Sequence, residues 1–272
     1  MSAKSAPVTA NYDRIAHFYD VDMARNMPFD DVAFYAGVCG HRGGRALELG
    51  CGNGRILLAL LARGVDAVGV DSSAAMLALL AGKAAARGLP APIARMDVRA
   101  LALRPGFAVI LCPYSLITTL AADDDLDGLL AAVRGLLAPG GAFVVDAFVP
   151  QPVPAAAGWQ PDYRRPFGDG ALARWKRIVP LSPRRNRIER RYHVLGRDGT
   201  LQDEVEIAEE IRPFAPAELE ARLVAAGYAI EGAAWDYAPG PGGPRSRFVT
   251  YTACPVPGPR PAAVAAATNA VA

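Results

Sequence analysis

Hydrophobic positions between Arg45 and Phe148 alternate between short apolar runs and stretches with helical spacing. Short apolar runs that end at a turn or a polar residue predict strands, and apolar residues every three or four positions predict helices. The predicted strands are ALELG, DAVGVD, PIARMD, FAVILC and AFVVDAF. The predicted helices are about 55–63, AAMLALLAGKAAARG and DDLDGLLAAVRGLLAPGG. Strands that alternate with helices indicate βαβ units and a parallel, doubly wound α/β sheet.

After Phe148 this alternation stops. The segment PQPVPAAAGWQPDYRRPFGDG is rich in proline and glycine and predicts a loop. The runs ALARWKRIVPL, NRIERRYHVLG and LQDEVEIAEEIRPF then predict three antiparallel strands, with a hairpin turn at 197–199. A helix PAELEARLVAAG and two strands, YAIEGAAWDYAP and SRFVTYTACP, complete the chain. The expected fold is therefore a doubly wound sheet with an antiparallel insertion before the last helix.

The 272 residues fit a single domain with two terminal extensions. Residues 1–10 and 255–272 have low complexity, and we expect both to be disordered. The domain then spans 11–254. Its predicted parts are N-terminal lid helices at 11–40, a core at 45–150, inserted strands that cover the acceptor at 151–213, and C-terminal core elements at 214–254.

Composition and charge narrow the classes of protein. Hydrophobic residues make up 52% and charged residues 21%, with a net charge of +2, so no global field favours nucleic acid or a membrane surface. The basic run at 184–191 precedes an acidic strand, and cross-strand ion pairs account for both. The sequence has no signal segment or long apolar run, so we expect a cytoplasmic protein with neither nucleic acid nor a membrane as partner.

Four cysteines are scattered without the spacing of a disulfide framework or a metal site. Chemistry concentrates instead in the loop LGCGNG, where Gly50, Gly52 and Gly54 alternate directly before a helix. A dinucleotide site usually has GxGxxG, and here Arg55 occupies the place of the third glycine. No GKS or GKT follows, which excludes a P-loop. The loop could still be a packing device only.

Three acidic residues lie at the ends of successive predicted strands. Glu48 suits a cationic ammonium group, and Asp71 can accept hydrogen bonds from both hydroxyls of a ribose. Asp97 can accept one from the amine of adenine, or it can simply cap a turn. Ligands bind at the carboxyl ends of strands in open α/β sheets. Together these groups indicate S-adenosylmethionine as the cofactor.

The motifs LELGCGNGR, VGVDSSAAML, ARMDV, AVILCPYSLITTL and LLAPGGAFVVDAF resemble those of class I S-adenosylmethionine-dependent methyltransferases. The opening YDRIAHFYD, from Tyr12 to Asp20, resembles the YDxxAxxYD opening of small-molecule members. The resemblance extends from Tyr12 to Phe148, and more weakly through IRPFAPAELEARLVAAGY. It implies a Rossmann-like, seven-stranded methyltransferase sheet, with S-adenosylhomocysteine as the product of the cofactor.

The resemblance also implies a role for each matching position. Glu48 and the three loop glycines would hold the methionine part of the cofactor, and Asp71 would hold the ribose. Met76 would lie at the adenine face, with Asp97 and Val98 at its amine and ring nitrogen.

A floor and a lid are implied in the same way. Cys112, Pro113 and Tyr114 would form a floor between cofactor and acceptor, and Tyr12 and Tyr19 would belong to a lid helix. Tyr12 and Tyr19, seven residues apart, can equally pack as an apolar staple. The candidate cofactor-binding residues are Tyr12, Tyr19, Glu48, Gly50, Cys51, Gly52, Gly54, Arg55, Asp71, Ser72, Met76, Asp97, Val98, Cys112 and Pro113.

The acceptor is expected to be a small metabolite of secondary metabolism, since CPYS lacks the Asn/Asp-Pro-Pro-Tyr pattern of many DNA and protein methylases. The resemblance favours nitrogen over oxygen as the target of methylation. We expect the protein to be a monomer or a homodimer. Candidate catalytic residues are Tyr19, Tyr114 and His17, although His17 could be a solvated surface residue. Candidate substrate-binding residues are Tyr114, Ser115, Trp159, Tyr163, Trp235 and Arg247. The alternatives are a nicotinamide-dependent oxidoreductase and a non-catalytic cofactor-binding protein.

Overall fold

The structure is a computed structural model that describes residues 8–23, 27–151 and 158–257. Its N-terminal half alternates helices and strands as the apolar pattern predicts. The elements are α1 (Val8–Ile15), α2 (Tyr19–Met23), α3 (Asp31–Arg42), β1 (Ala46–Leu49), α4 (Leu57–Ala62), β2 (Ala67–Asp71), α5 (Ala74–Ala86), β3 (Ile93–Arg95), β4 (Phe107–Cys112), α6 (Asp123–Leu136) and β5 (Leu137–Phe148).

The C-terminal half contributes a second set of strands and the last helix. The elements are β6 (Gln160–Phe167), β7 (Gly170–Ser182), β8 (Arg185–Leu195), β9 (Leu201–Ile211), α7 (Pro216–Ala225), β10 (Tyr228–Trp235), β11 (Ala238–Pro239) and β12 (Phe248–Pro255).

Within the described residues, the larger sheet has the order β11-β10-β12-β5-β4-β1-β2-β3. Strands β1 to β5 run parallel, and β12 lies antiparallel between β5 and β10. The predicted seven strands are therefore present, with the two-residue β11 added at the edge. The register pairs Glu48 with Gly69 and Leu111, so the carboxyl ends of β1, β2 and β4 lie side by side.

The smaller sheet has the antiparallel order β6-β7-β8-β9. The predicted hairpin joins β8 to β9, and Gly199 adopts a φ of 82° in its turn. The expected cross-strand ion pairs are confirmed. Arg191 lies directly opposite Glu206 and pairs with it, and Arg190 Nη1 lies 2.6 Å from Glu209 Oε2.

Two predicted boundaries within the sheets are corrected. Residues 160–167 form strand β6 and not a loop, because an edge strand tolerates prolines such as Pro161 and Pro166 that cannot donate to a ladder. Strand β5 begins at Leu137, so the segment APGG belongs to this strand and is not part of the preceding helix. Leu137 pairs with Phe107, and a register shift follows on β4 before Val109.

The predicted limits of the domain also shift at both ends. Helix α1 begins at Val8, so residues 8–10 are helical where disorder was expected, and β12 continues through Pro255. The remaining predicted tails, residues 1–7 and 258–272, lie outside the described residues. Within the described ranges, no helix combines the length and the apolar character that crossing a membrane requires.

Three apolar clusters hold these layers together. Two of them draw on strands of the larger sheet and the helices packed against it, through residues such as Leu130 and Phe143 in one and Leu57 and Leu80 in the other. The third joins Ile15 and Phe18 of the N-terminal segment to the smaller sheet. The N-terminal segment therefore packs against the inserted strands as well as the core.

Candidate active site

A cavity of about 400 Å³ lies at the carboxyl ends of β1, β2 and β4. Most of the predicted cofactor-binding residues line it. These are Tyr12, Tyr19, Glu48, Gly50, Cys51, Gly52, Arg55, Asp71, Ser72, Met76, Asp97, Val98 and Pro113. Gly54 and Cys112 do not line it, and Cys112 is fully buried, so their predicted places at the cofactor are corrected.

Glycine is needed for different physical reasons at different positions of the glycine loop. All three glycines adopt positive φ, which costs other residues backbone strain. A Cβ on Gly54 would lie 2.7 Å from Leu80 Cγ and 2.9 Å from Leu58 Cγ, so this glycine is required by packing of the helices. A Cβ on Gly52 would meet nothing within 4 Å. Gly52, which lines the cavity, therefore leaves its backbone open to a ligand.

Glu48 places a buried carboxylate on the cavity wall. The side chain is 3% exposed, and its Oε2 has no hydrogen-bond partner among the described residues. Burial raises the pKa of Glu48 well above its usual value, although the nearby Arg55 guanidinium opposes this shift. A buried acceptor without a donor calls for a specific partner. A cationic ligand group satisfies that need.

Asp71 is fixed by backbone amides at the end of β2. Gly52 N donates to Oδ2 over 2.9 Å, and Ser73 N donates to Oδ1 over 2.8 Å. Burial raises the pKa of Asp71, and these amides counteract it. Each carboxylate oxygen can still accept a further hydrogen bond, which suits a diol.

Asp97 lines the same cavity and also caps the turn that follows it. Its Oδ1 accepts from the Arg99 amide over 2.9 Å, and the Arg99 guanidinium binds both carboxylate oxygens. These hydrogen bonds lower the pKa of Asp97. The capping interpretation is thus confirmed, and any ligand amine would share a carboxylate already paired with Arg99.

The N-terminal segment lies across this cavity. The Tyr12 and Tyr19 rings meet edge to face with centroids 6.0 Å apart, as the staple interpretation expects. Ser73 Oγ donates to Asp13 over 2.5 Å, and Asn53 Nδ2 donates to Asp20 over 2.8 Å. These bonds hold the segment against the glycine loop and against α5.

A second cavity, of about 970 Å³, lies between the N-terminal segment, the smaller sheet and the end of β5. It shares Tyr12, Tyr19, Met23 and Tyr114 with the first cavity. The two cavities therefore adjoin at these four side chains. This arrangement suits transfer of a group from one ligand to another.

Asp146 holds the loop that carries Tyr114, and sequence reasoning missed it. The carboxylate is fully buried and accepts from Tyr35 Oη over 2.6 Å and Tyr237 Oη over 2.5 Å. It also accepts from the amides of Tyr114 and Ser115, which both have left-handed φ. The one signal available was an acid inside the apolar strand AFVVDAF.

Several predicted acceptor residues lie away from both cavities. Trp159 lies between the guanidiniums of Arg177 and Arg191, at 4.9 and 4.6 Å, and Trp235 packs beside Gly242 on a peripheral strand. Their predicted contact with the acceptor is not supported, because neither tryptophan lines either cavity.

His17, Ser115 and Tyr163 are also absent from the cavity walls. His17 is exposed beside Phe18 and Phe167, so it is not placed to act as a base. Ser115 is 2% exposed, and Tyr163 donates a hydrogen bond to Asp22. Only Tyr114 and Arg247 of the predicted substrate residues line the second cavity.

Several charged residues that the sequence did not indicate line the second cavity, beside the predicted Arg247. Its cations are Arg165, Arg174, Lys176, Arg184, Arg190 and Arg247, and its carboxylates are Asp22, Asp162 and Glu218. Arg174 pairs with both aspartates, and Arg184 pairs with Glu218. Knowledge of strand register is needed to find them, because only alternate residues of a strand face one side.

Comparison with known proteins places this geometry in context. Residues 46–141 match a family model described as a methyltransferase domain. No curated protein matches the chain. A solved S-adenosylmethionine-dependent methyltransferase from Clostridium acetobutylicum is 21% identical, with a TM-score of 0.74, and the match covers 89% of this chain and 98% of that one.

Two further solved structures share the fold. The CcbJ methyltransferase from Streptomyces caelestis is 24% identical with a TM-score of 0.74, and the match covers 93% of this chain and 100% of that one. The sugar N-methyltransferase KedS8 from a Streptoalloteichus species is 21% identical with a TM-score of 0.68, covering 92% and 96%. The likeness in fold therefore includes the insertion as well as the core.

Proposed function

We propose that this chain, a class I methyltransferase of the S-adenosylmethionine-dependent family, methylates a nitrogen atom of a small polar metabolite. The observation that carries the proposal is the unpartnered Oε2 of Glu48, buried in a cavity that adjoins a second one. A binding site for one charged ligand beside a site for another is what group transfer requires.

Residues of the first cavity would hold the cofactor. When bound, S-adenosylmethionine supplies a methyl group on a positively charged sulfur. Glu48 would accept from the ammonium group, Asp71 from the ribose hydroxyls, and Met76 with Val98 would contact the adenine. The fit of a cationic amino-acid group to Glu48 is supported by its missing hydrogen-bond donor.

Tyr19 and Tyr114 would align the acceptor, because they line both cavities. Methyl transfer depends chiefly on alignment and on exclusion of water. Both side chains can exclude water from the junction while their hydroxyls orient a polar nucleophile.

Nitrogen is favoured over oxygen by the chemistry of the second cavity. An alcohol needs a base to remove its proton, whereas a neutral amine already has a free electron pair. In the part of the chain that the structure describes, the carboxylates of this cavity, Asp22, Asp162 and Glu218, are all paired with arginines. A relative in fold, KedS8, is described as a sugar N-methyltransferase, which agrees with this choice.

Calorimetry with S-adenosylhomocysteine, followed by incubation of the protein with methyl-labelled cofactor and metabolite extracts, tests the proposal. We expect saturable binding and a product labelled on nitrogen. NADH, assayed by fluorescence, serves as the competing ligand for an oxidoreductase. If S-adenosylhomocysteine does not bind, the assignment as a methyltransferase is overturned. A label on oxygen would overturn only the choice of nitrogen as the target atom. Binding without any labelled product would favour a non-catalytic role.

A further inference from the structure

We infer that the methyl acceptor carries an oxyanion, either a carboxylate or a phosphate, that binds between Lys176 and Arg247 in the second cavity. The inference rests on the proposed function, because it names a feature of the acceptor. Lys176 and Arg247 line the second cavity and not the first, so the two proposals can be tested separately.

The charges of the cavity do not balance. Arg174 is shared by Asp22 and Asp162, Arg184 is paired with Glu218, and Arg190 is paired with Glu209. Arg165 donates hydrogen bonds to the carbonyls of Val21 and Asp22. In the described part of the chain, Lys176 and Arg247 have no carboxylate partner. Two cations that line the cavity are thus left for a ligand.

Lys176 projects from β7 and is half-buried on the wall of the cavity. Its ammonium group has no hydrogen bond or ion pair among the described residues. Burial lowers the pKa of Lys176, Asp162 opposes this, and the charges of Arg190, Arg174 and Arg247 lower it further. A half-buried cation without a partner has lost part of its hydration, and a bound anion would offset that loss.

Arg247 comes from the other sheet, immediately before β12. Its amide donates to Asp236 Oδ1 over 2.8 Å, and its carbonyl accepts from the Val149 amide over 2.8 Å. The backbone is therefore fixed, while the exposed guanidinium lies 5.9 Å from the centre of the Phe29 ring. An arginine with free donors binds carboxylate or phosphate oxygens in a bidentate way.

An anion between these cations would join the two sheets across the cavity. Lys176 belongs to the smaller sheet, Arg247 immediately precedes β12 of the larger sheet, and both line the same cavity as Tyr114. An acceptor anchored at this point would extend from the anion site to the tyrosines at the junction. The pair would thereby select acceptors by charge as well as position them.

Calorimetry on the full chain saturated with S-adenosylhomocysteine tests the inference. The probes are inorganic phosphate, inorganic pyrophosphate and succinate at constant ionic strength. The variants are Lys176→Gln and Arg247→Gln, with Arg104→Gln as a control that removes one exposed positive charge outside both cavities. Lys176→Gln and Arg247→Gln should each weaken anion binding roughly tenfold. Anion binding by Arg104→Gln should stay unchanged, as should the affinity of every variant for S-adenosylhomocysteine.

The outcomes separate the inference from the proposed function. Binding of phosphates alone or of succinate alone supports the site and identifies the kind of anion. If S-adenosylhomocysteine binds but no anion does, or if both variants bind anions normally, the anion site is overturned and the methyltransferase proposal stands. If S-adenosylhomocysteine itself does not bind, the proposed function is overturned, and the inference about the acceptor falls with it. Because Arg247 is exposed, Arg247→Gln keeps the test decisive should Lys176→Gln not fold.

Discussion

Glu48 illustrates, at the scale of a residue, how a ligand site can cost stability. Its carboxylate is buried, and one oxygen has no donor within the described structure. An unsatisfied buried polar atom costs about 1–3 kcal/mol, more when charged. The free protein therefore carries a penalty that a cationic ligand would relieve.

We predict that Glu48→Gln raises the free energy of unfolding by about 1–3 kcal/mol at neutral pH while cofactor affinity falls. The pKa of Glu48 is raised in the folded protein. The free energy of unfolding that Glu48 contributes is therefore fully present below its unfolded-state pKa of about 4.3, and it is lost as pH rises through the folded-state pKa. The advantage of the variant should therefore grow with pH. Thermal melts from pH 5 to 9 measure it, with the exposed Asp124→Asn as control. A constant difference across that range would contradict the prediction.

Asp71 allows a prediction about binding alone. Removing a carboxylate that accepts from two ribose hydroxyls should weaken S-adenosylhomocysteine binding by about 1.5–3 kcal/mol. Asp71→Ala is compared with Asp66→Ala, an exposed carboxylate near the start of the same strand. Calorimetry gives both affinities. Equal affinities in the two variants would refute the ribose assignment.

The glycine loop shows, at the scale of an element, that one motif serves two purposes. Gly54 makes room for Leu58 and Leu80, whereas Gly52 faces open space on the cavity wall. The motif alone does not distinguish these purposes, because both glycines have positive φ. The distinction comes from what packs against each Cα.

We predict different losses for two alanine variants of this loop. Gly52→Ala should cost about 1–2 kcal/mol of stability from its left-handed backbone, and it should also weaken cofactor binding. Gly54→Ala should cost about 1–3 kcal/mol more through overpacking. Gly64→Ala, with φ of 77° and no atom near its Cβ, is the matched control for strain.

Urea unfolding and calorimetry with S-adenosylhomocysteine measure both quantities in the three variants. The Gly64→Ala variant should lose stability but keep its affinity. If Gly52→Ala also kept its full affinity, the open face of Gly52 would not be part of the ligand site. Equal stability in Gly52→Ala and Gly54→Ala would contradict the packing argument.

At the scale of the whole molecule, Asp22 and Arg174 join the N-terminal segment to the smaller sheet. They are 4% and 7% exposed, and Arg174 also pairs with Asp162. Arg165 adds hydrogen bonds to the carbonyls of Val21 and Asp22. The segment that covers the first cavity is thereby tied to the wall of the second.

We predict that Arg174→Met costs about 3–5 kcal/mol, because the buried carboxylate of Asp22 loses its cationic partner and the exposed Asp162 loses the same ion pair. Asp22→Asn should cost less, since Arg174 keeps Asp162. The double variant should be more stable than the sum of the single losses implies, and urea unfolding of all four proteins measures the coupling. Strictly additive losses would show that the pair does not couple the segment to the sheet.

The cofactor half of this site could be predicted from the sequence because its chemistry is local. Glu48, Asp71 and Asp97 each end or follow a strand with a clear apolar pattern, and parallel strands place those ends at one edge. The order of motifs and the glycine loop therefore indicated the fold and the first cavity. The same reasoning predicted the ion pairs between β8 and β9, which depend only on neighbouring strands.

The acceptor half was decided by tertiary structure. Arg174 contacts Asp22, which is 152 residues away in the sequence, and Tyr35 donates a hydrogen bond to Asp146, which is 111 residues away. Trp159 and Trp235 line neither cavity, and the arginines of the smaller sheet that line the second cavity face it only because of the register of that sheet. Local patterns carry no record of such distant packing, so they predicted most residues of the first cavity but few of the charges that line the second.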